Sequence, residues 1–293
     1  MIFKTLDFVA ALAIEMSILN RDHVDSLAQS GADAPGEAVT TREVVFIADA
    51  QKHCVFRWMA GFDEGEVVAG AAIADQQTMR TPCGVALDPD GALTIVEHEN
   101  HRVTRWTPGA IEGEVIAGGH GAGWGLDQLK HPSFVALGPD GEVFVTDWGN
   151  HRIMGWKPGS AQGRVVAGGN GKGNRLDQLN RPTGLAFDTP GCLIIADFGN
   201  NRVIRKDIED IEAEGVIVAG GNGEGQELNQ LNKPCGVAVD EFGSIFVADS
   251  NNHRVVKWDR DVRTGIIVAG GNDAAGQLNQ LDTPTDVALT VYM

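Results

Sequence analysis

Pro182-Thr-Gly-Leu-Ala-Phe-Asp-Thr-Pro-Gly-Cys-Leu-Ile-Ile-Ala-Asp197, running on into Phe198-Gly-Asn-Asn-Arg202-Val203, decides the fold because the chain repeats it. Prolines open such units at 82, 132, 182, 234 and 284, spaced by 50, 50, 52 and 50 residues. A second marker, Val-Ala-Gly-Gly or a near variant, stands at 68–70, 116–119, 166–169, 218–221 and 268–271. A third, Leu-Asp/Asn-Gln-Leu, stands at 126–129, 176–179, 228–231 and 278–281. A fixed period of this length belongs to arrays whose units cannot bury their apolar faces alone.

The unit from Pro132 divides into four short strands. Phe134 to Leu137 is the first, and Gly138-Pro139-Asp140-Gly141 turns the chain, with Pro and Gly where a tight turn needs them. Glu142 to Thr146 alternates toward Val143 and Val145 and makes the second strand. Asp147 to Asn150 turns again; Ile153 to Trp156 is the third strand and Arg164 to Ala167 the fourth. A glycine-rich link, 168–180, crosses to the next proline. Four strands per unit of about 50 residues, in tandem, predict an all-β β-propeller of four-stranded blades. Five repeats are counted, and five or six blades remain open. Pro284 onward supplies one strand, Val287 to Val291, which either closes the ring against the blade of residues 43–70 or begins a sixth blade. Pro35 to Val39 is an alternative worn first strand. Residues 5–20 read as a helix, so 1–40 is expected to be a helical or flexible extension and 41–293 the propeller.

The turn Asp/Glu-x-x-Asn-x-Arg-Val/Ile resembles the NHL repeat. It stands at Glu97 to Arg102, Asp147 to Arg152, Asp197 to Arg202 and Asp249 to Arg254; the first unit departs, pairing Asp49 with Cys54. The resemblance covers about residues 43–293. Kelch repeats place their double glycine after the second strand, whereas here it follows the fourth. The resemblance implies a non-catalytic protein-binding or scaffold module. Related propellers also include metal-dependent lyases and lactonases with a site at the channel mouth, which is the alternative function. Asp286, His120 and His131 stand outside the repeat positions and are its candidates.

A residue that recurs once per blade is expected to be architectural, so Asp49, Glu97, Arg102, Asp147, Arg152, Asp197, Arg202, Asp249 and Arg254 are read as satisfying turns and pairing with each other. Cys83, Ser133, Thr183, Cys235 and Thr285 each follow a blade-opening proline. They form a candidate ligand-binding ring on the channel, against the simpler reading that a narrow channel admits only small side chains. His98-Glu99-Asn100-His101 lacks the helical i, i+4 frame of a zinc motif. No catalytic or metal-ligating set is assigned, and no phosphate-loop pattern is present, so no cofactor is expected.

The 293 residues carry 23 Lys plus Arg against 40 Asp plus Glu, a net charge of −17. That balance opposes nucleic-acid binding, which needs cations to displace phosphate counterions. It suits a protein partner, a basic one included; the acidic loop from Lys206 to Glu214 reads by default as a solvated loop, the alternatives being a place to meet a basic partner or a divalent cation. Phe8 to Ile14 is too short to span a bilayer. Four cysteines without a C-x-x-C pair, and no glycosylation sequon, favour free thiols and a cytoplasmic location.

Overall fold

The computed structural model describes residues 11–13, 44–59, 61–70, 79–210, 212–272 and 277–289. They build a five-bladed β-propeller of antiparallel four-stranded sheets. Blade one is β1 (Ala11–Ala13), β2 (Val44–Asp49), β3 (Cys54–Met59) and β4 (Glu66–Gly70); blade two is β5 (Pro82–Leu87), β6 (Leu93–Glu97), β7 (Arg102–Trp106) and β8 (Glu114–Gly118). Blade three is β9 (Val135–Leu137), β10 (Val143–Asp147), β11 (Arg152–Trp156) and β12 (Arg164–Gly168). Blade four is β13 (Leu185–Thr189), β14 (Cys192–Asp197), β15 (Arg202–Asp207) and β16 (Val216–Gly220); blade five is β17 (Pro234–Val239), β18 (Ile245–Asp249), β19 (Arg254–Trp258) and β20 (Ile266–Gly270).

Register repeats with the sequence. Asp147 pairs Arg152 across β10 and β11, as Asp197 pairs Arg202 and Asp249 pairs Arg254. The third and fourth strands slip by a bulge at the same step in every blade, between Ile153 and Met154 in blade three. A bulge adds twist, which a sheet stacked radially on its neighbours requires. The double-glycine marker follows: Gly168 has φ +69°, and a Cβ there would meet the His151 carbonyl at 2.5 Å.

The second strands of blades two and three, β6 and β10, are buried along their whole length. Neighbouring blades cover both faces, so Phe144 is as buried as Val143 and Val145 but points the other way. Val143 and Val145 join the core shared with blade two, and Phe144 the core shared with blade four. Four such cores join blades one to two, two to three, three to four and four to five. Trp106, Trp156 and Trp258 fill three of them, and Ile208 takes part in the third in sequence. Among the described residues no fifth core joins blade five to blade one.

Two sequence expectations are corrected. Ala11–Ala13, inside the expected N-terminal helix, is a strand; it pairs with β2, Leu12 opposite Ile47. Backbone pairing on an exposed inner edge decides the conformation of this short apolar run. For the same reason Pro284 onward is not the strand that completes blade one, because β1 already holds that edge. Residues 284–289 carry no strand pairing and lie beside blade five, Asp286 Cα standing where a Cβ on Gly236 would come within 2.5 Å. The rest of the expected helix, Pro35 to Val39 and residues 290–293 lie outside the described residues.

Candidate functional site

The repeated acid, Asn and Arg form a clamp in blades two to five. In blade three Arg152 Nε donates to Asp147 Oδ2 at 2.7 Å, and its Nη atoms donate to the carbonyls of Trp124, Gly125 and Gln128. Asp147 Oδ1 accepts the Lys130 N–H at 2.7 Å, and Asn150 Nδ2 bridges Asp147 to the Gly123 carbonyl. The clamp therefore grips the glycine-rich link that enters its own blade. Gln128 of the Leu-Asp-Gln-Leu marker folds that link, donating to the His120 carbonyl, and Leu129 anchors it in the core. Arg202 and Arg254 repeat the pattern on their own links. Glu97 holds Arg102 and also accepts from Thr104, while Asp49 caps the N–H groups of Gln51 and Lys52. Asp147 is wholly buried, and burial pushes its carboxyl above the usual range although Lys130, Arg152 and Asn150 pull it back.

A further repeated contact had no signal in single residues. His53, His101, His151 and His253 all adopt left-handed backbone, φ 53–57°. Each turns its Nδ1 to accept the N–H of the residue before the next proline: Thr81, His131, Arg181 and Thr283, at 3.0–3.1 Å. Asn201 Oδ1 does the same for Lys233. The pre-proline residues are themselves left-handed, φ 42–56°, a strained place that this bond holds in position. An accepting Nδ1 cannot carry a proton. Burial lowers the pKa of His151 and His131, and pushes His98, which stacks on His131 at 4.9 Å, down to about 4.

His98, His131 and His151 have folded-state values below their unfolded one. Their stabilisation is complete above about pH 6.5 and is lost as pH falls through that value toward 4. We expect the unfolding free energy to drop by about 2 kcal/mol between pH 7 and pH 5. Melts at the two pH values check it, and His98→Gln should flatten the dependence.

Of the residues that follow a blade-opening proline, Cys83 and Thr183 reach the next blade and Ser133 and Cys235 also bond within their own. Cys83 Sγ lies 3.2 Å from the Ser133 carbonyl, and Thr183 Oγ1 donates to the Cys235 carbonyl at 2.9 Å. Ser133 Oγ pairs with Thr146 Oγ1 at 2.9 Å and Cys235 Sγ lies 3.7 Å from the Lys233 carbonyl. Burial lifts the Cys83 thiol to about 12 and the Cys235 thiol to about 11, so neither is a ready nucleophile at neutral pH. Thr285 stands at the equivalent place, next to Asp286, whose carboxyl burial lifts to about 7. His120 is on an exposed link beside Asp127, and His131 lies between His98 and His101 at a blade junction. Among the described residues no three His, Cys, Asp or Glu are placed to share a metal ion, so the structure does not bring these candidates together.

What stands free is the rim. The first Leu of each link marker is exposed, as Leu126, Leu176, Leu228 and Leu278 show, whereas its partner at the end of the marker is buried in Leu129, Leu179 and Leu231. Val115, Ile217 and Ile267 on the fourth strands add to this apolar band. Beside it the loop after β15 presents Asp207, Glu209, Asp210, Glu212 and Glu214 to solvent. Lys206 Nζ, donating to the Asp210 carbonyl at 2.7 Å, shapes that loop from within. No described helix is long and apolar enough to cross a membrane.

Residues 129–155 and 231–258 match the family model of the NHL repeat. No curated protein sequence matches the chain. Among solved structures, a chain of a nidogen/laminin complex is similar at 20% identity and TM-score 0.58, over 76% of this chain and 74% of that one. A streptogramin B lyase is similar at 13% identity and TM-score 0.48, over 78% of this chain and 66% of that one. A catalytically inactive variant of the virginiamycin B lyase from Staphylococcus aureus is similar at 12% identity and TM-score 0.48, over 80% of this chain and 71% of that one. These likenesses show the fold alone.

Proposed function

We propose that this NHL-repeat β-propeller is a protein-binding scaffold that meets its partner on the rim. One observation carries the reading: the leucine that opens the link marker is exposed in link after link, and only its carbonyl serves the fold, Leu126, Leu176 and Leu228 accepting the N–H groups of Gly163, Gly215 and Gly265. An apolar side chain exposed at the same place in successive links offers a partner a repeated apolar contact. The acidic loop of blade four lies within the same periphery and favours a partner with a basic segment, steering its approach in a salt-dependent way. The nidogen/laminin likeness is compatible with this use of a propeller but rests on fold alone.

The triple variant Leu126→Glu, Leu176→Glu, Leu228→Glu tests it. All three positions are exposed, so the melting temperature should hold within about 2 °C. Proteins captured from extract and identified by mass spectrometry should fall at least about tenfold against the parent chain. Capture unchanged by the triple variant would remove the rim from consideration. A stoichiometric metal in the purified chain, with a melt lowered by chelator, would replace the scaffold reading by the lyase or lactonase one.

A further inference from the structure

The link between blades four and five carries an ion pair that the preceding link lacks. Glu224, which bridges to Leu231, pairs with Lys233, the residue before the proline, at 3.7 Å. The same two places in the link between blades three and four are Lys172, which bridges to Leu179, and Arg181. Two cations therefore stand where the next unit sets an acid beside a base. Lys130, near the end of the link before, adds a third. All three are exposed, and none makes an ion pair among the described residues.

The three converge on one junction. Arg181 donates its N–H to His151 Nδ1 at 3.0 Å, and its guanidinium lies over the Trp148 ring, 4.6 Å from the centroid. Lys130 is fixed by its N–H, which Asp147 Oδ1 accepts, and by its carbonyl, which accepts the Gly149 N–H at 2.8 Å. Burial first, and then the charges of Lys172, Arg181 and Lys130, lower the pKa of His151, so all three cations are felt at one ring. Backbone held this way sets the charges in place before any ligand arrives, and a guanidinium stacked on an indole loses little freedom on binding. Asp177, in the same link, is taken by Arg175. Glu99, on the turn of blade two, and Glu224, on the link to blade five, bound the patch to either side.

We propose that this patch is a docking site for a short acidic segment of a protein partner, in which neighbouring Asp or Glu side chains meet Lys130, Lys172 and Arg181 beside Trp148. The guanidinium fork suits a carboxylate bidentately, and the two ammonium groups act as point charges around it. A short segment is favoured over a long polyanion. With a net charge of −17 on the chain and an acid to either side of the patch, a nucleic-acid strand running past it meets repulsion that a few residues do not. The site is apart from the rim and its acidic loop. It sits on the turns between second and third strands, whereas that loop joins a third strand to a fourth at the other end of the blade. It stands whether or not the rim binds.

The probe is a fluorescein-labelled hexaglutamate peptide, titrated with the full chain and followed by polarisation. It should bind, and more weakly as salt rises. Lys172→Glu, which sets an acid beside Arg181 as Glu224 stands beside Lys233, should weaken binding at least about fivefold and leave the melting temperature within about 2 °C of the parent. Lys130→Gln is the second variant and should weaken it as well. Lys157→Glu, the charge-matched control at the far end of blade three, should change binding by less than about twofold. Absence of binding at about 1 mM chain overturns the proposal. So does Lys157→Glu weakening the complex as much as Lys172→Glu, since the attraction would then belong to the net charge and not to the patch. An octauridylate probe that binds more tightly than the peptide overturns it too, because the surface would then be one for nucleic acid.

Discussion

Arg152→Ala is expected to lose about 3–5 kcal/mol of unfolding free energy in urea denaturation, the cost of leaving a buried charge without its partner. Asp147 would remain wholly buried, with its Lys130 and Asn150 donors but without the guanidinium at 2.7 Å. Three link carbonyls, of Trp124, Gly125 and Gln128, would lose their donor at the same time. Arg152→Lys should recover only part of the loss, because an ammonium cannot reach the carboxylate and the three carbonyls together as a planar fork does. Arg175→Ala, which breaks an exposed pair with Asp177, is the control and should leave the melt unchanged. A loss below about 1 kcal/mol for Arg152→Ala would show that the clamp is not what orders the link.

Trp156→Ala is the second large effect, again about 3–5 kcal/mol, through the cavity left in the core between blades two and three. The form of the transition is as informative as its midpoint. Each blade touches only its neighbours, so stability is close to a sum of blade and junction contributions. The described cores join the blades in series, so weakening this junction should loosen blades one and two from blades three to five, and the melt should broaden or split. Trp58→Ala should cost less than Trp156→Ala, since Trp58 is 36% exposed and Trp156 2%. Equal losses for the two tryptophans would mean that blade one is packed on both sides.

The sequence by itself determined the blade. The proline period, the turn at Gly138 to Gly141 and the strand runs follow from local rules of turn chemistry and apolar alternation, which act within a few residues. The sequence also pointed to the pairing of Asp147 with Arg152, because charged residues that recur from unit to unit have to be satisfied in each. What the repeat could not state is which separate markers touch. That the Arg of one marker grips the link carrying another, or that His151 accepts from Arg181 thirty residues on, depends on blades stacking at a set distance.

The ends of the chain were decided only by tertiary structure. Ala11–Ala13 is apolar and short, and its local preference is weak; the free edge of β2 makes it a strand. Thr285 and Asp286 match the repeat in position, but whether they close the ring depends on which segment reaches blade one first. The same holds for Trp58 and Trp156. They are one residue type at one repeat position, yet Trp156, packed against blade two, is 2% exposed and Trp58 is 36% exposed. Local sequence specifies a unit of this fold, while burial, and with it the surface open to partners, is a property of the neighbours that the unit has in space.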